Sequence, residues 1–211
     1  RLLRTPLVVH EQNAIPGMTN RWLARVAARV LEAFPHSFPA SIGARAVGNP
    51  IRSDIAALPA PSPIDIGRRL RLLVVGGSLG AKALNEVVPA AVARLPVDGM
   101  PEVRHQTGRD RVEATREAYR TQGIAAEVSE FLDDMAEAYG WADLIICRAG
   151  ALTVSELMAA GLPAILVPFP FAVDDHQTVN ARFLTEAGAG QLMPQSDMTA
   201  QTLSELLDSL L

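Results

Sequence analysis

The strongest constraint on this chain is an alternation that begins near residue 70. Short apolar runs rich in β-branched residues take turns with longer segments of helical period. The runs L-L-V-V at 72–75, L-I-I-C at 144–147 and A-I-L-V at 164–167 are apolar at every position. A strand with one wet face would alternate, so these runs predict strands buried on both faces. Strands are predicted at Leu70–Val75, Glu102–Gln106, Glu127–Glu130, Asp143–Cys147, Ala164–Val167 and Gly190–Met193. Helices are predicted at Lys82–Leu95, Arg109–Gln122, Asp133–Tyr139, Thr153–Ala160 and Asp175–Ala187, with Gly123, Gly140, Gly161 and Gly188 placed to stop them. The pattern implies an α/β fold, a doubly wound parallel sheet covered by helices on both faces.

Residues 1–50 stand apart from that unit. Pro6–His10 is predicted as a strand, Met18–Val30 as a helix, and Leu31–Phe34 and Arg45–Val47 as short extended pieces. Arg21, Arg25 and Arg29 then fall at i, i+4, i+8 on one face of the predicted helix, either a solvated stripe or a surface for anionic headgroups. This is too little for a core of its own. The expected organisation is therefore 1–50 as the carboxy-terminal part of a first domain, 51–69 as a proline-rich interdomain link, and 70–211 as a Rossmann-like second domain. Thr199 is expected to cap a final helix. The chain starts at Arg1 without Met, which reads as a cut inside a longer protein.

Bulk properties exclude several classes. A net charge of −4 and a pI near 5.6 argue against a general nucleic-acid binder. The single Cys147 rules out a disulfide framework and fits a reducing compartment. There is no apolar run long enough to span a bilayer, and no signal peptide is visible.

In open parallel sheets, ligands bind beyond the carboxyl ends of the strands, and four segments fall there. Gly76–Gly77–Ser78–Leu79–Gly80 follows the first strand of the regular unit. Its glycines allow close approach of a phosphate, but equally make a tight turn with no ligand. The spacing is wrong for a dinucleotide fingerprint, and the second strand ends His105–Gln106–Thr107 without the required acid. Arg148–Glu156, R-A-G-A-L-T-V-S-E, follows the fourth strand and starts a helix whose N–H groups are open to a phosphate. Glu156 has two readings: Thr153-x-x-Glu156 fits a capping box, which spacing favours, or the carboxylate accepts both hydroxyls of a ribose. Phe169–Gln177 follows the fifth strand. There Asp174 or Asp175 is placed to cap a helix, with His176 and Gln177 in its first turn. Phe131–Met135 follows the third strand and offers Leu132 and Met135 as an apolar wall for a base. Asp133 and Asp134 resemble a metal motif but serve equally as helix caps, and the cap reading is preferred. In the amino-terminal piece, His10–Glu11–Gln12–Asn13 follows a strand and faces the expected cleft.

Together, H-E-Q-N at 10–13, G-N-P-I-R at 48–52, V-V-G-G-S at 74–78, E-F-L-D-D-M at 130–135, R-A-G-A-L-T-V-S-E at 148–156 and V-P-F-P with D-H-Q across 167–177 resemble the MurG family. These are peptidoglycan N-acetylglucosaminyltransferases of the two-domain GT-B fold, and the motifs run in order along nearly the whole chain. The resemblance implies transfer of N-acetylglucosamine from UDP-GlcNAc to lipid I, with inversion, without a metal or other cofactor and without a nucleic-acid partner. It implies that the Leu132 backbone reads uracil and that Glu156 holds the ribose diol. Ser78 and the amides of Ala151, Leu152 and Thr153 would hold the diphosphate, with Arg52 nearby and Val154 and Ser155 completing the motif. Gln177, with His176, would hold the GlcNAc hydroxyls, and Asn13 would reach the sugar from the other domain. It also implies a cytoplasmic protein, peripheral on the inner face of the cell membrane through its first domain. The family's amino-terminal glycine-rich loop, with the histidine considered as general base, has no counterpart here, so no catalytic residue is assigned. This segment alone is expected to be inactive or nearly so while retaining weak UDP-GlcNAc binding. A related transferase with another lipid acceptor, or a unit that only binds UDP-GlcNAc, would carry similar motifs.

Overall fold

A computed structural model describes residues 5–61, 67–77, 81–172 and 175–210. The amino-terminal part holds strand β1 (Val8–Glu11), helix α1 (Met18–Leu23), β2 (Arg29–Glu32), β3 (Arg45–Ala46) and α2 (Ser53–Ala56). Its strands form a small parallel sheet in the order β1-β2-β3. The regular unit follows as β4 (Arg71–Val75), α3 (Lys82–Val92), β5 (Glu102–Gln106), α4 (Val112–Thr121), β6 (Ala126–Ser129), α5 (Met135–Trp141), β7 (Leu144–Cys147), α6 (Ala151–Ala160), β8 (Ala164–Leu166), α7 (His176–Glu186), β9 (Gly190–Leu192) and α8 (Ala200–Leu210).

All neighbours in this six-stranded sheet pair in parallel, in the order β6-β5-β4-β7-β8-β9. The order runs outward in two directions from the β4–β7 pair, which makes that pair the topological switch point. Side chains on β4 alternate between two cores. Leu72 and Val74 join Leu84, Val88, Val103, Tyr119 and Leu203 on one face, under α3, α4 and α8. Leu73 joins Ile145, Val154, Leu157, Leu166 and Leu184 on the other, under α5, α6 and α7. Both sets are almost fully buried, so the apolar runs seen in the sequence reflect a sheet covered on both sides.

The amino-terminal part leans on the second face. Phe34 and Ile55 are buried in the cluster of Leu73 and Ile145, and the Phe34 ring lies 4.6 Å from that of Phe183 on α7. A separate small cluster of Val9, Ala24, Val30 and Phe38 sits under the three-stranded sheet.

Some expectations fail here. The helix predicted over Met18–Val30 stops at Leu23, because Ala28 N–H bonds to Leu7 carbonyl and Arg29 is already the first residue of β2. The stripe of Arg21, Arg25 and Arg29 therefore does not form; instead the Arg25 guanidinium lies 4.5 Å over the Trp22 ring. Gly140 does not stop a helix but sits inside α5. Gly161 does stop one: it closes α6 at φ +66°, and an added Cβ would come within 2.9 Å of Pro61. Thr199 caps α8, its hydroxyl accepting from Thr202 N–H at 3.1 Å.

Candidate functional site

The carboxyl ends of β4 and β7 meet at the switch point, and the segments singled out in the sequence gather around them. The turn after β7 enters α6 through Gly150, whose extended backbone (φ −64°, ψ 146°) makes it the N-cap. Val154 N–H, bonded to Gly150 carbonyl, makes the first intrahelical bond. The N–H groups of Ala151, Leu152 and Thr153 have no acceptor within the helix, and the positive dipole end coincides with them. Leu152 is exposed, Thr153 and Ser155 are half-buried, and Ala151 is buried. Val154 points into the core, fully buried, so only its backbone borders the site.

The capping box preferred on spacing is not made. Thr153 lies inside the helix rather than at its cap, and Gly150 has no side chain to bond. Glu156 turns instead toward Arg52 at the start of α2 and Tyr139 on α5. Its Oε1 accepts from Arg52 Nε at 3.1 Å, and its Oε2 accepts from Arg52 Nη2 at 3.3 Å and from the Tyr139 hydroxyl at 3.2 Å. The Arg52 side chain is about half exposed (46%), while that of Glu156 is 14% exposed. Burial works against the Arg52 charge, but the hydrogen bond and Coulombic attraction of Glu156 outweigh it and raise its pKa. Tyr139 is 4% exposed, and its hydroxyl pKa is raised, first by burial and then by its neighbours Cys147 and Glu156.

Neighbouring segments are braced to this centre. Asn49 donates to Gln12 carbonyl and to Ser155 hydroxyl, both at 3.0 Å. Ser155 in turn donates to Ala151 carbonyl at 2.9 Å, so its hydroxyl is committed inside the motif. Asn180 on α7 is fully buried. Its Oδ1 accepts from Ala14 N–H at 2.8 Å, and its Nδ2 reaches Ala149 carbonyl at 3.3 Å and Asn13 Oδ1 at 3.4 Å. The H-E-Q-N loop is thereby tied to Ala149, the residue before the N-cap of α6. The loop itself is built on the buried Glu11, whose Oε1 accepts from Asn13 N–H at 2.9 Å and whose Oε2 accepts from Gly17 N–H at 3.1 Å and Asn20 Nδ2 at 2.9 Å. A cavity of about 380 Å³ opens among His10–Asn13 and Gly17–Asn20.

On the other side of the switch point, Gln106 at the end of β5 clamps the glycine turn. Its Oε1 accepts from Gly77 N–H at 3.0 Å, and its Nε2 donates to Gly77 carbonyl at 3.3 Å and to Glu130 carbonyl at 2.7 Å. Gly77 adopts φ +79°, the left-handed region that glycine enters without strain. Ser78, with Leu79 and Gly80, lies outside the described residues. Leu132 is half-buried between Phe131 and the start of α5. Asp134 caps that helix, accepting from Glu137 N–H at 2.8 Å. After β8, Gln177 Oε1 accepts from Phe169 N–H at 2.9 Å, leaving its amide N–H groups as donors, and half-buried His176 is the residue before it. Asp175 sits at the cap position but at φ +52° with no cap bond, accepting instead from the Thr178 hydroxyl. Asp174 lies outside the described residues. The Arg148 guanidinium turns toward the loop after β8. It donates to Val167 and Pro168 carbonyls at 3.2 and 3.1 Å and to Gln195 Oε1 at 2.6 Å, which holds the loop after β8 against β7.

Arg52 and Glu156 bond to each other, Asn13 bonds to Asn180, and Leu132 and Gln177 lie on segments that follow the carboxyl ends of β6 and β8. Tyr139, Asn49, Gln106 and Asn180 are not singled out individually by the sequence. Asn49 stands in the G-N-P-I-R run of the loop between β3 and α2; the other three lie on a helix or at a strand end with no motif around them, and only a long-range partner marks each.

Residues 71–211 match the glycosyltransferase family 28 C-terminal domain. The chain belongs to glycosyltransferase family 28. Residues 1–32 match the N-terminal domain of the same family. Over its full length this family 28 chain is 61% identical to the UDP-N-acetylglucosamine–N-acetylmuramyl-(pentapeptide) pyrophosphoryl-undecaprenol N-acetylglucosamine transferase of Chromohalobacter salexigens, and it covers 58% of that relative. Among solved structures it resembles MurG of Acinetobacter baumannii, with a TM-score of 0.85 and 47% identity, covering all of this chain and 60% of the other. The glycotransferase of kitacinnamycin, at 19% identity and a TM-score of 0.64 over 92% of this chain and 49% of that one, shares the fold alone. The α/β GT-B fold expected from the sequence is the fold of this family 28 chain. The chain spans about 58% of the length of the curated relatives it matches.

Proposed function

We propose that this chain carries the nucleotide-sugar half of an inverting glycosyltransferase, which moves N-acetylglucosamine from UDP-GlcNAc to the muramoyl 4-hydroxyl of lipid I and so forms lipid II. One observation carries the reading: Glu156, Arg52 and the open N–H groups of α6 converge at the switch point of the sheet. An acceptor for ribose hydroxyls, a cation and a helix N-terminus are the groups a ribosyl diphosphate requires. The relatives' names, at 55–61% identity over essentially the whole chain, supply the sugar and the acceptor.

In this reading the Leu132 backbone lies against uracil and Glu156 takes the ribose diol. The amides of Ala151, Leu152 and Thr153, with Arg52 and Ser78, hold the diphosphate. Gln177 and His176 hold the GlcNAc hydroxyls, and Asn13 approaches the sugar from the amino-terminal sheet. As the glycosidic bond to UDP breaks, negative charge grows on the diphosphate. Preorganised N–H donors and the α6 dipole stabilise that charge without having to reorient. Residues 1–50 are read as part of the acceptor-side domain, 51–69 as the link, and 70–211 as the donor domain. The protein is read as cytoplasmic, meeting the membrane surface through the acceptor-side domain to reach its lipid substrate.

Calorimetric titration of this chain with UDP-GlcNAc tests the donor half, and GlcNAc transfer to a lipid I analogue by the gene product that carries it tests the reaction. Binding together with transfer is expected. A folded chain that takes up no UDP-GlcNAc would overturn the reading.

A further inference from the structure

The reading of Glu156 as the ribose acceptor leaves a problem of occupancy. An ionised carboxylate has roughly four lone-pair directions, two on each oxygen. On Oε2 both are taken, by Arg52 Nη2 at 3.3 Å and by the Tyr139 hydroxyl at 3.2 Å. On Oε1 one is taken, by Arg52 Nε at 3.1 Å. A ribose diol that donates one hydroxyl to each oxygen therefore needs one donor to leave Oε2.

The two donors on Oε2 differ in how firmly they are held. Arg52 reaches Glu156 with a long side chain that is 46% exposed, and a diphosphate entering beside it offers its guanidinium a stronger partner. Tyr139 is 4% exposed and packed among Leu73, Ile145 and Leu157 in the second core. At 4% exposure its ring has far less freedom than the half-exposed Arg52 side chain, although one side of it borders a cavity of about 270 Å³. Because burial keeps the phenol protonated, it remains a donor, and Glu156 is the acceptor it faces.

We propose that Tyr139 is a positioning residue for nucleotide binding, its hydroxyl fixing Oε2 of Glu156 so that both carboxylate oxygens face a ribose diol once Arg52 has moved to the diphosphate. The inference rests on the reading of Glu156 given above and adds a residue that touches no ligand itself. A carboxylate on a flexible glutamate stem loses rotational freedom when it binds a diol. A fixed donor on its inner oxygen removes part of that loss in advance.

The test compares UDP with 2′-deoxy-UDP by calorimetry on the wild-type chain, Tyr139→Phe, Glu156→Gln and the double variant. Phenylalanine keeps the ring in the core and deletes only the hydroxyl, so circular dichroism and melting should show a folded chain. UDP should bind Tyr139→Phe about tenfold more weakly, the scale of one hydrogen bond to a charged group. Affinity for 2′-deoxy-UDP should change by only about twofold, since one of the two hydroxyls is absent. The double variant should bind UDP no more weakly than Glu156→Gln alone. Equal losses for the two nucleotides would make Tyr139 a structural residue and overturn the proposal, as would unchanged UDP affinity in Tyr139→Phe. Wild-type chain that does not prefer UDP to 2′-deoxy-UDP would instead overturn the reading of Glu156 as ribose acceptor, and the proposal with it.

Discussion

Replacing His105 by Gln should flatten the pH dependence of stability between about pH 7 and about pH 5. His105 is 1% exposed. Its Nδ1 lies 3.0 Å from the Tyr119 hydroxyl and its Nε2 3.0 Å from Asn85 Oδ1. Asn85 Nδ2 donates to Thr107 carbonyl at 3.1 Å, which turns its oxygen toward the ring. Nε2 therefore carries the proton, Nδ1 accepts from Tyr119, and the ring is held neutral. Burial pushes its pKa from the ordinary 6.5 down to about 3. Below 6.5 the unfolded chain takes up a proton that the folded chain refuses, so stability falls as pH falls. The full slope is about 1.4 kcal/mol per pH unit, and integration from about pH 7 to about pH 5 gives a loss of about 2 kcal/mol. With a urea m-value of about 2 kcal/mol/M, the midpoint should drop by about 1 M over that range. Urea unfolding at both pH values is the assay. His105→Gln has no group titrating there, so its midpoint should fall by about 1 M less than that of the wild type. Equal falls in the two proteins would refute a neutral buried histidine at this position.

Other expectations bear on the site. Asn180→Ala strands Ala14 N–H and Ala149 carbonyl, so chemical denaturation should show a loss of about 2–3 kcal/mol. Gln106→Leu removes the acceptor of Gly77 N–H and the donor to Glu130 carbonyl. It should lower the melting temperature by several degrees, on the order of 2 kcal/mol, and weaken UDP binding; an unchanged UDP affinity would detach the glycine turn from the site. Arg52→Met should act with opposite signs on two ligands. Uridine should bind more tightly, because Glu156 is freed, and UDP more weakly, because a cation near the diphosphate is lost. Calorimetry giving the same sign for both would contradict the exchange of Arg52 between carboxylate and diphosphate.

Much of this architecture is legible in local sequence, and the exceptions have physical causes. The strands of the larger sheet announce themselves because burial on both faces removes polar residues from runs such as Leu72–Val75 and Leu144–Cys147. Sequence order does not reveal that β4 lies between β5 and β7; that follows from crossovers, which leave no mark in any single segment. The stretch from Met18 to Val30 has helical period and good helix formers, yet pairing with β1 takes Arg29 and Val30 into a strand, and tertiary contacts override propensity. The T-x-x-E pattern at Thr153–Glu156 suggested a cap because capping is a local rule. The helix starts two residues earlier, and the partner that claims the carboxylate, Arg52, lies 104 residues away in the chain. Tyr139 and Asn180 escaped notice for the same reason, since a tyrosine or asparagine in a helix carries no signal until its distant partner is known.

In the proposed function a ribosyl diphosphate sits across the open end of α6 and Glu156. Amide chemical shifts followed during titration of the isotope-labelled chain with UDP test it most directly. Shifts should concentrate at Gly77, Leu132, Ala151–Thr153 and Glu156, and Glu156→Gln should diminish them. A cavity of about 270 Å³ lies at the opposite end of the sheet, lined in part by Leu58, Pro61, Arg71, Trp141 and Asp143. Shifts confined to that end, with Ala151–Thr153 silent, would place the nucleotide elsewhere and rule out this site.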